Sequence, residues 1–309
     1  MTTNNRLTIF AFGFGAALML GLGFGCTPEE PPVDETPQVF PDSDPDNLGN
    51  WVYKTRFSDE FEDAVLDEEK WHIQGKDGQY ESNFIGRAPA QFSTDNVRIE
   101  DGKLMIETRW EPDFPFSTKV DYYANGTSYQ FENMTTAAVI GKNLFRYGYM
   151  EIKCKAADAS ITSSFWMTGQ NTELDVFEFV GKPKQSQKAF LEKEYKFSIH
   201  DWAPGMGGPT VWTDKYELPW RVADDFHTYG CEWSAEGLKF YADGELIREA
   251  TAEQIEAEAT DDAAEEAWIL HNPLKIWVDS EAFPWHGIPE EGDLPVDFEI
   301  EYIRVWQKE

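Results

Sequence analysis

The chain has little positive charge, few cysteines and few histidines. Only 26 Lys and Arg stand against 57 Asp and Glu, for a formal net charge of −31 over 309 residues. A surface of that sign repels nucleic-acid phosphates and anionic lipid headgroups, which excludes a DNA-binding or polybasic membrane-binding role. Three cysteines cannot build a disulfide framework. Cys154 and Cys231 each lie in a strand-like stretch beside apolar or aromatic neighbours, which predicts two buried thiols rather than one bridge. A metal site would need several histidines at short spacing, and only His227 lies near either cysteine, so none is expected there.

Aromatic residues are plentiful at 15% of the chain, more than a disordered or coiled-coil sequence carries, and they suit a β-rich core with an aromatic cleft. The length fits one large all-β domain. In front of it, Arg6 precedes an apolar run from Leu7 to Phe24, which reads as a signal segment over residues 1–25. Gly23-Phe24-Gly25-Cys26 resembles a bacterial lipobox, whose cysteine is acylated and becomes the new N-terminus. The expectation is an exported bacterial lipoprotein in the outer membrane, at the cell surface or in the periplasm. A single membrane span is the poorer reading, because the run is barely long enough and is interrupted by glycines. Residues 26–50 are rich in Pro, Asp, Glu and Asn and poor in hydrophobes, a composition that predicts a disordered tether. The domain proper is then 51–309.

From Trp51 onward, short alternating runs are broken by turn residues. Asn96–Glu100, Asp101-Gly102 and Lys103–Thr108 form a hairpin pattern, as do Leu238–Ala242, Asp243-Gly244 and Glu245–Arg248. Further strands are expected at Thr136–Ile140, Tyr147–Lys155, Ser163–Met167, Leu174–Phe179, His227–Trp233, Leu274–Val278 and Phe298–Trp306. Short strands without regular intervening helices point to an all-β antiparallel β-sandwich. Thr251–Ala267 reads as an exposed helix or loop whose acidic run serves solvation. Tyr195, Trp202, Trp212, Trp220 and Trp285 fall in stretches that read as loops, where each could stack on a sugar or anchor its loop on the sandwich.

The segment Glu173-Leu174-Asp175-Val176-Phe177-Glu178 carries the chemistry. Alternation in a regular strand puts Glu173 and Asp175 on one face and Glu178 on the other. One β-bulge at Val176-Phe177 would bring all three carboxylates to the same face. Clustered carboxylates raise one another's pKa. Retaining glycoside hydrolysis needs that arrangement: one ionised carboxylate to attack and one protonated carboxyl to release the leaving oxygen, about 5–5.5 Å apart. An acidic solvent-facing edge strand would give the same hexapeptide. The upstream Ser164-Phe165-Trp166-Met167 weighs against it, since Trp166 could supply a stacking platform for a sugar.

In this pattern the chain resembles glycoside hydrolase family 16 over nearly all of Trp51 to Trp306. The residues that carry the resemblance are Phe57-Ser58-Asp59-Glu60-Phe61, Lys70-Trp71, Asp101-Gly102-Lys103-Leu104, Tyr147-Gly148-Tyr149-Met150-Glu151, Phe165-Trp166, the Glu-x-Asp-x-x-Glu segment, Asp225–Gly230, Tyr241–Gly244 and Tyr302–Trp306. The resemblance implies a jelly roll with a concave substrate cleft, with Glu173 as nucleophile, Glu178 as general acid/base and Asp175 between them. Members of the family often hold a structural calcium through an Asp just before the closing Tyr; here that position is Glu301, which leaves the ion an open possibility and requires no cofactor for the reaction. Ile85–Phe92 with Asp95-Asn96-Val97, and Asp279–Gly287, are similar to enzymes of red-algal galactans: agarases, porphyranases and κ-carrageenases. The candidate substrate-binding residues are Trp166, Arg87, His200, Trp202, Glu281, Trp285 and His286. Arg87 could equally form a structural ion pair. The acidic surface favours neutral agarose or lightly sulfated porphyran over carrageenan. The alternatives are an endo-β-1,3-glucanase of the laminarinase type and a lipid-anchored carbohydrate-binding protein without activity. The chain is expected to be a monomer whose partner is a polysaccharide.

Overall fold

Alternating side chains and Asp-Gly turns shape most of the domain. At both hairpins the two turn residues take positive φ, 50° and 70° at Asp101-Gly102 and 46° and 76° at Asp243-Gly244. This is the backbone that matches the twist of tightly paired antiparallel strands. The computed structural model describes residues 39–308 apart from 124–125, 206 and 264–265. The expected signal segment, Cys26 and the first part of the tether lie outside the described residues.

Two antiparallel sheets stack face to face. The larger, ten-stranded sheet includes Gly237–Ala242, His227–Trp233, Gly148–Lys155, Val296–Lys308 and Lys103–Trp110 as successive neighbours. The seven-stranded sheet runs in the order Thr210–Glu217, Glu194–Asp201, Thr172–Val180, Thr162–Gly169, Lys275–Asp279, Ala138–Gly141 and Trp71–Ile73. Only the short Ala90–Phe92 and Met134–Thr136 pair is parallel among the described strand pairs. Aromatic rings join the layers. Phe197 of the smaller sheet stacks on Phe240 of the larger at 3.9 Å, and Phe179 meets Tyr229 at 4.7 Å. Each such fully buried ring contributes about 1.5–3 kcal/mol of hydrophobic stabilisation.

All strands expected from the sequence form, within three residues of their bounds. Two more form where loops were expected. Glu194–Asp201 and Thr210–Glu217 extend the smaller sheet, and Tyr195 and Trp212 within them are wholly buried. Those two aromatics are therefore core residues and cannot stack on a sugar. Trp220 is also removed from that role: it stacks on His227 at 3.9 Å and donates to the Tyr229 hydroxyl. Among its described residues, Thr251–Ala267 is helical over Ala252–Ala257, started by a reciprocal Thr251/Gln254 capping box. Beyond it the Glu256 carboxylate accepts from the Ala267 and Trp268 amides and draws the chain back onto the domain.

The expected tether boundary at Asn50 needs correction. Residues 39–50 are packed on the outer side of the larger sheet. The Trp306 indole donates to the Val39 carbonyl at 2.7 Å, and the Asp42 amide donates to Glu151 at 3.0 Å. Asn47 exchanges hydrogen bonds with the Trp51 backbone. A segment poor in hydrophobes is fixed here because Val39 packs against Trp51, Tyr149 and Trp306 and because its polar groups answer those of the sheet that would otherwise be buried unpaired. Cys154 and Cys231 are both free and buried. Cys154 lies opposite His227 and Cys231 opposite Met150. Four residues of register separate them, about 13 Å at strand rise, too far for a disulfide.

Candidate active site

The Thr172–Val180 strand carries the bulge. Against the neighbouring strand, Phe165 lies opposite Phe177 and Trp166 opposite Asp175, so Val176 has no partner. Leu174, Val176, Phe177 and Phe179 all enter the core, and Phe177 stacks on Phe179 at 4.0 Å. The extra residue shifts the parity, and Glu178 joins Glu173 and Asp175 on the open face of the smaller sheet.

Register then gathers the surroundings. Glu173 lies opposite His200 and Asp175 opposite Ser198 on one side. On the other, Ser164 lies between Glu178 and Asp279, and Trp166 between Asp175 and Trp277. Trp166 packs on Trp277 at 4.6 Å and donates its indole N–H to Asp279 at 3.0 Å. Trp166, where a sugar platform was expected from the sequence, is only partly buried.

The Trp202 indole donates to Glu173 Oε2 at 2.9 Å, from a ring that is itself exposed. Gly208 makes this possible. Its φ is +74°, and a Cβ there would lie 2.3 Å from the Trp202 ring. The Gly208 carbonyl also accepts from His200 Nδ1 at 3.1 Å, which leaves His200 Nε2 facing Asp175 Oδ2 at 3.0 Å. Burial opposes charge on this imidazole, but Asp175 and Glu173 outweigh it and raise His200 to about 9. Glu173, Asp175 and His200 converge closely enough to ligate a metal. The same two carboxylates favour protonated His200, so a metal there would have to displace that proton.

Burial raises the pKa of both Glu173 and Glu178, and the charge of Asp175 raises both further. Two such carboxyls titrate together and share one proton near neutrality. The Trp202 hydrogen bond and the His200 cation favour the ionised form of Glu173. No described residue donates a hydrogen bond to Glu178, which burial pushes up to about 7. Lys196 and His200 in turn favour the ionised form of Glu178. The open face thus presents one ionised and one protonated carboxyl, the pair a double displacement at an anomeric carbon uses.

Arg87 is in a structural ion pair. Its Nε meets Glu281 Oε2 at 2.6 Å, and the guanidinium lies over the rings of Phe283 and Trp285 at 5.0 and 5.6 Å. Arg87 and Glu281 together bring no net charge to the cleft. Trp285 is exposed, whereas His286 is half-buried and held neutral by desolvation and by Lys188 and Lys196, which lower it to about 4. Glu301 is paired with Lys153 at 2.7 Å, so an ammonium already holds the carboxylate considered for calcium. Trp277, Asp279 and Lys196 were not expected at the site. The alternations Lys275/Trp277/Asp279 and Glu194/Lys196/Ser198/His200 could have shown each strand's polar face, though not what it meets.

The family described as the glycoside hydrolase 16 domain of β-porphyranases A–D matches residues 51–308. β-Porphyranase B from Zobellia galactanivorans is 27% identical over 299 residues, 89% of this chain and 91% of that protein. The κ-carrageenase of Pseudoalteromonas carrageenovora is 24% identical over 277 residues, 84% of this chain and 65% of its own. Among solved structures, a β-porphyranase from the human gut bacterium Bacteroides plebeius superposes with a TM-score of 0.66 at 23% identity, covering 85% of this chain and 96% of that one. With the two sheets, the bulged strand and its carboxyls in place, the match over 51–308 shows that the chain belongs to the β-porphyranase A–D group of glycoside hydrolase family 16.

Proposed function

We propose that the chain is a retaining endo-hydrolase of a β-linked red-algal galactan of the agar or porphyran type, with Glu173 as nucleophile and Glu178 as general acid/base. The observation that carries the reading is the unpartnered Val176, which turns Glu178 onto the face of Glu173 and Asp175. Ionised Glu173 attacks the anomeric carbon as Glu178 passes its proton to the leaving oxygen; Glu178, now a carboxylate, then takes a proton from the water that releases the sugar with retained configuration. Asp175, clamped by His200, lies between them and favours a single ionised glutamate. The galactan assignment draws on the β-porphyranase and κ-carrageenase relatives. A neutralised Arg87 and a net charge of −31 favour a neutral or lightly sulfated chain over a densely sulfated one. We read the protein as an exported lipoprotein acylated at Cys26, on the strength of residues 1–26 alone.

Azide tests the two roles. In Glu173→Ala, the space left by the carboxylate lets azide attack the opposite face, giving a product of inverted configuration. In Glu178→Ala, substrates with leaving groups that need no proton still form the covalent intermediate, and azide releases a product of retained configuration. The reverse pattern would exchange the roles. Fragment masses from agarose, porphyran, κ-carrageenan and laminarin, compared side by side, test the substrate.

A further inference from the structure

Lys196 has no role in the reading above, and its placement is costly. On the Glu194–Asp201 strand it shares a face with Ser198 and His200, the residues opposite Asp175 and Glu173. Two residues on from Ser198, it reaches the level where the bulged strand, three residues on from Asp175, presents Glu178. Across the other edge, Lys196 lies directly opposite Lys215. Like charges in that position destabilise a sheet. The nearest acid on its own face, Glu194, is held by Lys215 at 3.0 Å. Among the described residues Lys196 has no ion pair of its own within 4 Å, in a chain with more than twice as many acids as bases. Its charge is felt where the site lies: it favours ionised Glu178 and opposes protonation of His286.

We propose that Lys196 is a positioning residue of the reaction, whose ammonium faces Glu178 across the sheet and sets how readily that carboxyl gives up its proton. The inference rests on the acid/base role given to Glu178. The other groups around Glu178 divide by sign. Asp175 and Glu173 on its own strand, and Asp279 and Glu281 on the far side, all oppose its ionisation. His200 on the Lys196 strand favours it, and so does Arg87, whose charge is neutralised by Glu281. Of these three cations, His200 is paired with Asp175 and Arg87 with Glu281, and Lys196 alone has no ion pair among the described residues. Without it, burial and four carboxyls would hold the proton too tightly for Glu178 to serve as acid in the first step and base in the second.

The sign of the effect is fixed. A positive charge stabilises the carboxylate, so its removal raises the pH at which Glu178 ionises. Glu178 must be protonated to release the leaving oxygen, so the basic limb of kcat/KM follows it upward. Lys196→Met keeps length and packing and removes the charge; Lys196→Arg keeps the charge. We expect the basic limb in Lys196→Met to move up by about 1 on the pH scale, with KM little changed, and Lys196→Arg to restore the original profile. A 13C carboxyl titration of Glu178 in the full chain should show the same displacement with no substrate present. An unmoved Glu178 titration in a folded Lys196→Met variant would overturn the proposal. So would a higher KM for sulfated but not neutral galactan with the limb in place, since Lys196 would then be a ligand for the sulfate ester. Glu178→Gln separates the two readings: if it keeps full activity the acid/base assignment fails, while the titration still reports whether Lys196 acts on Glu178.

Discussion

At the scale of single residues, the two glutamates differ through their hydrogen bonds more than through their burial. Both are desolvated and both face Asp175, but only Glu173 receives an N–H, from Trp202. A hydrogen bond to a charged group contributes about 1.5–3 kcal/mol. If it favours the ionised nucleophile, Trp202→Phe, which keeps the ring and loses the donor, should lower kcat by about 10- to 100-fold. Stacking on the sugar would survive, so KM should change much less. Steady-state kinetics on one oligosaccharide check this; a loss confined to KM would make Trp202 only a platform. Glu173 and Glu178 were legible in the sequence because residue type and spacing are local. Trp202's contact with Glu173 was not, because it depends on a loop folded over Gly208, 35 residues beyond Glu173 in the chain.

At the scale of elements, the ordered segment 39–50 shows how a mostly polar stretch can be fixed by hydrogen bonds with one apolar anchor, Val39, at its start. Glu151 accepts from the Tyr149 and Tyr302 hydroxyls and from the Asp42 amide. Desolvation, followed by the nearby Asp42 charge, raises it to about 7. A folded-state pKa above that of the unfolded chain means the native state holds a proton between about pH 4.5 and 7 that the unfolded chain has lost. Its contribution to stability is present at low pH and is lost as pH rises through about 7. Deleting residues 39–49 exposes Trp51 and the Trp306 edge, and should lower Tm by about 5–10 °C. The loss should be larger at pH 5 than at pH 8, where the intact protein already bears an ionised, buried Glu151. Thermal scans of both chains at the two pH values check it.

At the scale of the whole molecule, an acidic shell and a nearly neutral cleft serve different ends. The shell keeps the protein soluble and disfavours densely anionic polymers at long range, while the cleft neutralises itself through Arg87–Glu281 and His200–Asp175. An acidic domain gains no attraction from an anionic membrane, so the proposed retention there rests on the lipid at Cys26. Cys26→Ala should therefore move the protein from the membrane fraction to the soluble fraction of a lipoprotein-processing host. Unchanged fractionation would remove the anchor from the proposal.

The sequence by itself determined most of the longer strands, the turns at Asp101-Gly102 and Asp243-Gly244, and the need for one extra residue between Asp175 and Glu178. These follow from alternation and backbone preference, which act over a few residues. Only the tertiary structure decided that Val176 is the unpaired residue, that Tyr195 and Trp212 face the core while Trp202 donates to Glu173, and that His200 lies opposite Glu173 while Lys196 and Asp279 act on Glu178 by their charge. Alternation says which residues share a face. Which face meets the core, and which residue of a distant strand lies opposite, depends on register between segments far apart in the chain, and that is set by packing the two sheets together.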